Sequence, residues 1–400
     1  MSIDKVFTIE YFSDTVVLTD AIIFLFFAIA VLYLLIFAIK SQSKRHNVYP
    51  PSKLKYKYIV VFPAYKEDRV IINSVRSFFE QSYPCDKFDV LVISDRMTDA
   101  TNAELERMGA LVVKKDFENS TKTAALQEAV KYIKIHELKY DFLVVLDADN
   151  WVDEYFLDKM NDAFYSGCTV IQTHRVAKNY NTNIAILDSV SEEINNAIFR
   201  KGHTRFGFSS GLIGSGMAFD YPIFEKYIMK ASTIGVDKQL EMFLLKNGYY
   251  IEYLSDVYTY DEKVSNSKQF YKQRKRWAAT QFHNLSGGIW GCPAAALQGN
   301  WDYCNKLFQW AMPPRVILIG IITLVAIGFT LLGSYHAIKW WGLLVILCIT
   351  FALAIPDYLF NKRLLKALLS VPWLFFLMLI NTSTIFGRNK KFIHTEHFEE

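Results

Sequence analysis

Phe142-Leu143-Val144-Val145-Leu146-Asp147-Ala148-Asp149-Asn150 is the stretch on which the fold turns. Five apolar residues in a row have the length of a strand buried on both faces, and such strands belong to parallel sheets covered by helices. The run ends in two carboxylates one residue apart. At the end of a buried strand, an Asp-x-Asp pair offers hard oxygen ligands to Mg²⁺ or Mn²⁺ shared with a phosphate. Taken alone, the same pair is as readily a solvated turn whose acids cap the next helix.

The sequence on either side favours the first reading. Tyr58-Ile59-Val60-Val61-Phe62 and Val90–Ile93 repeat the buried-strand pattern, and Ala110–Val113 is a third short strand. Helix-period segments alternate with them over Asp68–Gln81, Thr98–Met108 and Lys122–Ile135. This alternation predicts βαβ units: an α/β, doubly wound, mostly parallel sheet with its site at the carboxyl ends of the strands. The first strand runs into Phe62-Pro63-Ala64-Tyr65-Lys66-Glu67-Asp68, and the second into Ser94-Asp95-Arg96-Met97-Thr98-Asp99. Three successive strands thus deliver acidic residues to one sheet edge, where a nucleotide would bind.

Further out, composition divides the chain of 400 residues. The runs Ala21–Ile39, Val316–Ile338, Trp340–Pro356 and Ala367–Gly387 contain no Asp, Glu, Lys or Arg, although 21% of all residues are charged. A domain of ordinary charge density flanked by membrane segments follows, which excludes a secreted disulfide scaffold, a disordered chain and a polytopic transporter. The formal charge of +4 gives no support to nucleic-acid binding. Five cysteines without CxxC or CxxH spacing read as reduced residues in a cytosolic setting.

Acidic residues precede the first chargeless run and Lys40, Lys44, Arg45, Lys53, Lys55 and Lys57 follow it, so the positive-inside rule puts the N-terminus outside and the next segment in the cytoplasm. Three units are expected: an anchor over 1–50, a cytoplasmic domain over 51–287, and interfacial and transmembrane helices with a cytoplasmic tail over 288–400. The aromatic, punctuated stretch 288–314 suits the headgroup plane. If the last three runs all span, the basic tail Arg388-Asn389-Lys390-Lys391 ends outside. Pro372 and the polar Asn381-Thr382-Ser383-Thr384 instead favour a broken or interfacial helix at Ala367–Gly387. The protein is expected in the cell membrane, multi-pass, with the lipid bilayer as a partner and a membrane partner subunit as a further candidate.

Phe62–Asp68, Ser94–Asp99, Lys122-Thr123-Ala124-Ala125-Leu126 and Asp147-Ala148-Asp149 together resemble, in order, the motifs of family 2 glycosyltransferases of GT-A fold. The departures are Lys66 where the family has Asn, and Ser94, Arg96 and Met97 in the second motif. Gly235-Val236-Asp237 stands where the family has its Glu-Asp base motif, with Val236 replacing Glu. Gln273-Arg274-Lys275-Arg276-Trp277 is similar to the Gln-x-x-Arg-Trp motif of cellulose, chitin and hyaluronan synthases and of ceramide glucosyltransferases. Gly214-Ser215-Gly216 resembles the small-residue stretch of their acceptor pocket, and Phe392–His397 faintly resembles their gating segment.

The resemblance implies a metal-dependent, inverting hexosyltransferase. Pro63, Ala64, Tyr65, Glu67, Asp95, Lys122 and Asp147 would hold a nucleotide sugar, with UDP as the expected nucleotide, and Asp149 would hold Mg²⁺ or Mn²⁺. Gly214, Ser215, Gln273, Arg276 and Trp277 would serve the acceptor and diphosphate, and Asp237 would be the catalytic base. A hydroxyl is a weak nucleophile at neutral pH, so a positioned carboxylate must take its proton. Metal and guanidinium can stabilise a departing diphosphate, and Trp277 offers a face to a pyranose ring. The first-ranked product is a growing polysaccharide; the alternatives are a glycolipid made by a single transfer, and an inactive scaffold that keeps the fold. His174, His203 and His283 are expected to be packing or surface residues, and Glu192 and Glu193 to lie on a solvated helix face.

Overall fold

The sheet grows outward from β1 (Tyr58–Tyr65). In the computed structural model, which describes residues 14–43, 48–232, 235–264 and 266–384, Tyr58 through Phe62 are wholly buried, as a strand covered on both faces requires. β2 (Phe88–Asp95) pairs with it in parallel, and β3 (Leu111–Lys115) lies outside β2. β4 (Phe142–Val145) joins β1 on the other side, with Val145 opposite Val61. β5 (Trp151–Val152), β6 (Val170–Ala177), β7 (Met217–Asp220) and β8 (Glu252–Asp261) complete the order β3-β2-β1-β4-β7-β6-β8-β5. β7 is antiparallel to β4 and β6, and β5 to β8; the remaining strands run one way. The chain moves outward from β1 to β3 and returns beyond β1 for β4, so a crevice opens at the carboxyl ends of β1 and β4.

α1 (Asp14–Ser41) precedes the sheet. α2 (Ile71–Phe79), α3 (Asp99–Arg107) and α4 (Lys122–Ile135) are its crossovers. Thr98 and Thr121 cap α3 and α4 by accepting from the Thr101 and Ala124 amides. The helix expected from Asp68 begins at Ile71, because the Asp68 carboxylate is committed elsewhere. It accepts from the Thr98 amide and hydroxyl at 2.8 Å and from the Thr101 hydroxyl at 2.7 Å, tying the loop after β1 to the loop after β2. α5 (Phe156–Tyr165), α6 (Asn183–Asn195), α7 (His203–Phe206), α8 (Tyr221–Ile228) and α9 (Val236–Lys246) surround the second half of the sheet. A π-helical turn, Asn196–Gly202, joins α6 to α7.

Beyond β8 the chain is helical: α10 (Ser267–Gly288), α11 (Cys292–Leu297), α12 (Trp301–Ala311), α13 (Arg315–Leu331), α14 (His336–Ala354), α15 (Lys362–Leu368) and α16 (Val371–Thr384). By length and composition α1 and α14 could each cross a membrane, and so could the bent pairs α12–α13 (57°) and α15–α16 (44°). The chargeless run Val316–Ile338 is not one helix. α13 stops at Leu331, Gly333 takes φ +67°, and α14 begins at His336, making a helical hairpin. Lys339 therefore lies within α14, where it pairs with Asp20 of α1, which also bonds the Trp340 indole at 2.9 Å. α1, α13, α14 and α6 share one buried cluster containing Leu34, Phe37, Ile194, Ile322 and Trp340.

The stretch 288–314 has two faces. Tyr303, Leu307 and Trp310 of α12 are buried in the same cluster as Leu240 and Leu244 of α9, whereas Trp290, Leu297 and Trp301 are exposed. Lys306 reinforces the docking by pairing at 2.8 Å with the wholly buried Glu241 of α9. Phe392–His397, which resembles the gating segment, lies outside the described residues.

Candidate active site

The crevice opens into a cavity of about 660 Å³. At its sheet end stand Pro63, Ala64 and Tyr65 at the end of β1 with Glu67 beyond it, Asp95 at the end of β2, Lys122 at the start of α4, and Asp147 and Asp149 after β4. Gly214, Asp237 in the first turn of α9, and Gln273, Arg276 and Trp277 of α10 line the same space. All the residues expected from the sequence thus meet at one cavity except Ser215, which sits just behind its wall.

Short-range contacts brace the Asp-x-Asp loop. Ser215 Oγ accepts from the Asp147 amide at 3.0 Å and donates to Asn150 Oδ1. The Lys122 ammonium binds the Asp147 carboxylate and, at 2.7 Å, the Gly214 carbonyl. Gly214 and Ser215, expected on the acceptor side, are thus tied to the Asp-x-Asp loop. Gly216 closes this stretch at φ +62°, and a Cβ there would collide with the Thr173 and Thr259 hydroxyls. A Cβ built on Gly214 would stand 3.8 Å from the Lys122 ammonium and 4.0 Å from the Asp237 side chain, so Asp237 and the Lys122 that binds Asp147 face a common point. Burial pulls the Arg276 pKa down, against the Asp237 and Asp147 carboxylates that work to raise it. This guanidinium thus lies in the field of both acids.

Asp149 is buried; Oδ1 accepts from the Asn150 amide group and Oδ2 from the Glu262 backbone N–H, both at 3.1 Å. No cluster of three His, Cys, Asp or Glu forms among the described residues. That donor set suits Mg²⁺ or Mn²⁺, which take one or two carboxylates from protein and the remainder from phosphate and water. The residues fit such an ion.

The two backbone departures from the family motifs fall at telling places. Lys66 and Arg96 have φ of 56° and 57°, the left-handed region that Asn and Gly tolerate best. The turn geometry suits the family's residues while the side chains differ. Arg96 is held by Asp116 and by the Phe117 carbonyl at 2.8 Å.

Sequence reasoning missed the wall opposite the acids. Glu192 and Glu193 are buried, correcting the solvated-face expectation: Glu192 pairs with Arg175 at 3.1 Å and Arg200 at 2.8 Å, and Glu193 with His174 at 3.1 Å. Burial, the largest influence, would raise the Glu192 carboxyl, but Arg175, Arg200 and Lys263 together hold it well below the usual range. Asp261, beside Lys263 at 2.8 Å, is likewise lowered to about 2 despite burial. These partners come from β6, α6, the π-turn and β8, and no local spacing announces them. His203 packs against Phe37, its ring stacked at 3.8 Å, and His283 is exposed. The cavity continues past this wall to Leu34 of α1, Leu318 of α13, Phe351 of α14 and Leu374 of α16.

A doubly wound sheet with a carboxylate-rich crevice at its strand order reversal defines a nucleotide-type α/β fold, consistent with GT-A. Residues 56–280, more than half the chain, match the family described as Glycosyltransferase like family 2, and the chain belongs to that family. It is 22% identical over 235 residues to "Probable glycosyltransferase YdaM" of Bacillus subtilis, covering 56% of this chain and 54% of that protein. It is 23% identical over 248 residues to a dolichyl N-acetyl-α-D-glucosaminyl phosphate 3-β-D-2,3-diacetamido-2,3-dideoxy-β-D-glucuronosyltransferase of Methanococcus voltae, covering 56% of this chain and 72% of that one. The chain thus spans about half the length of the first relative. Among solved structures, the mannosyltransferase PcManGT of Pyrobaculum calidifontis, in complex with GDP-Man and Mn²⁺, shares the fold with a TM-score of 0.51 at 18% identity, over 82% of this chain and 96% of that one.

Proposed function

We propose that the chain is a membrane-embedded, inverting glycosyltransferase that moves a sugar from a nucleoside diphosphate to a hydroxyl of a lipid-borne acceptor. The observation that carries this reading is the single cavity joining Asp95, Asp147, Asp149, Asp237 and Arg276 to the apolar helices α1, α13, α14 and α16. The acceptor oxygen attacks the anomeric carbon, the bond to the diphosphate oxygen breaks on the opposite face, and Asp237 takes the hydroxyl proton. Arg276 faces the charge gathered on the leaving diphosphate. Asp149, with Asp147 beside it, would hold a divalent cation, which when bound supplies Lewis-acid stabilisation of that diphosphate. The domain over residues 51–287 would lie on the cytoplasmic side, as the basic residues after α1 require, with the exposed Trp290 and Trp301 at the headgroup level.

Extension of a polysaccharide is the second reading, favoured by the Gln273–Trp277 likeness to polymer synthases. α1, α13 and α14 make few walls for a polymer conduit, which ranks it lower here and reverses the order drawn from sequence. Screening UDP- and GDP-sugars for Mn²⁺-dependent release of nucleoside diphosphate tests the reaction class. Absence of release from any donor, in the presence of membrane lipid extract, would refute it. A labelled product confined to one lipid-extractable species supports the lipid acceptor, and a ladder of lengths supports the polymer.

A further inference from the structure

The middle of the cavity carries more cationic donors than the donor-site chemistry uses. Arg315, the first residue of α13, directs Nη2 to the Ser191 carbonyl at 2.9 Å and hydroxyl at 2.8 Å. It forms no ion pair among the described residues, and its Nη1 is enclosed without an acceptor. Arg274 of α10 reaches the same Ser191 hydroxyl at 3.5 Å, pairs with Asp188, and lies over the Trp277 ring at 4.8 Å. Its Nε is also enclosed and unpartnered, as is the amide Nε2 of Gln309, another residue of the cavity wall. Two guanidiniums thus meet at one serine with one carboxylate between them.

Glu192 and Asp188 attract Arg315 only from beyond ion-pair contact; an enclosed guanidinium without a direct partner is costly, because charged groups shut away from water are ordinarily paired. Three enclosed N–H donors lacking acceptors call for an oxygen-rich anion. Position says which anion. Arg315 stands where the polar cavity gives way to the apolar wall of Leu318, Ile319, Leu374 and Met378. A ligand filling both parts has a phosphate head and a long apolar tail.

We propose that Arg315 and Arg274 form a phosphate subsite that binds the head of a polyprenyl-type lipid acceptor, its chain lying along the cavity wall formed by Leu318, Ile319, Leu374 and Met378. This rests on the glycosyltransferase reading above and adds the chemical class of acceptor that the same cavity takes. The sugar carried on that phosphate reaches toward Asp237, and the subsite fixes where the lipid stops. Bulk phospholipid headgroups and inorganic phosphate share the anion chemistry, so the test separates them.

The full chain in neutral-lipid nanodiscs is titrated with a polyprenyl phosphate, the matching polyprenol, inorganic phosphate and phosphatidylglycerol, without nucleotide. The polyprenyl phosphate should bind about tenfold or more tighter than the polyprenol, as loss of a charge-assisted contact implies. Arg315→Met should erase that preference, and Arg315→Lys, which keeps the charge, should retain part of it and so guards against misfolding. Equal binding of phosphate and alcohol by the wild type would overturn the proposal. So would a preference unchanged in both Arg315→Met and Arg274→Met, or equal displacement by phosphatidylglycerol, which would assign the arginines to bulk lipid. The donor reading is judged separately, by Mn²⁺-dependent nucleotide binding to the wild type.

Discussion

The two ends of the cavity are built differently. At the sheet end the acids and the lysine sit at or just beyond a strand's end or in the first turn of a helix: Asp95, Asp147 and Asp149, then Lys122 and Asp237. Such positions are set by short sequence, because a buried strand must stop somewhere and the next residues face the crevice. At the far end the wall is assembled from β6, α6, β8, α10 and α13, and its charges are matched over long separations. Arg274 and Asp188, for example, lie 86 residues apart. The acidic end is therefore local in the chain, whereas the opposite wall is a product of tertiary packing.

The strongest way to break this contrast is at Asp237. Asp237→Asn should lower transfer by about 10²–10⁴ if it is the base, while nucleotide binding measured by calorimetry persists; near-normal turnover would remove the base assignment. Chelation should follow closely in size. Because protein ligands to the ion are few, excess EDTA should abolish nucleotide release, and Asp149→Asn should do so even at saturating Mn²⁺. Undiminished release under both conditions would show that the acidic end works without metal.

At the opposite wall, Glu192→Gln should destabilise the chain by about 3 kcal/mol, since it leaves the buried Arg200 without a carboxylate and Arg175 with only Asp261 at 3.7 Å, and urea or thermal unfolding reads this directly. The pH dependence has a definite sign. Glu192 and Asp261 have folded pKa values below their unfolded ones. Their stabilisation is therefore complete above about pH 5 and is lost as pH falls through the carboxylate range, toward about 2 for Asp261. Wild-type stability should fall more steeply than that of Glu192→Gln between pH 5 and pH 3; parallel curves would show the network to be unimportant.

The smallest effect belongs to the turns at the sheet end. Lys66→Asn should stabilise the fold by about 1 kcal/mol, because Asn tolerates the left-handed region that Lys66 occupies. An unchanged or lowered melting temperature would mean that the Lys66 side chain makes a compensating contact.

Much of the sheet end was legible in the sequence. β1, β2, β4 and α4 fall where periodicity puts them, and α4 has the predicted limits, because Thr121 caps a helix whose apolar face is continuous. The start of α2 was misplaced because Asp68 spends its carboxylate across the crevice on Thr98 and Thr101. Glu192 was misread because a charged residue in a helical segment ordinarily faces water, and two of its three cationic partners, Arg175 of β6 and Lys263 beyond β8, come from other parts of the chain. The break between α13 and α14 hid inside a run without charges, where hydropathy is blind to a glycine turn. Arg315 follows Pro313-Pro314 immediately before an apolar run, and no motif marks it; only its enclosed nitrogen without an acceptor distinguishes it.

The central claim is that one cavity joins a nucleotide-sugar end to a lipid end. Incubating the full chain in nanodiscs with Mn²⁺, a radiolabelled nucleotide sugar accepted in the donor screen and a polyprenyl-phosphate-linked saccharide tests it most directly. The account predicts that label passes to a single organic-extractable lipid, and that Asp237→Asn prevents this. Release of nucleoside diphosphate with all label remaining in water-soluble product would contradict it.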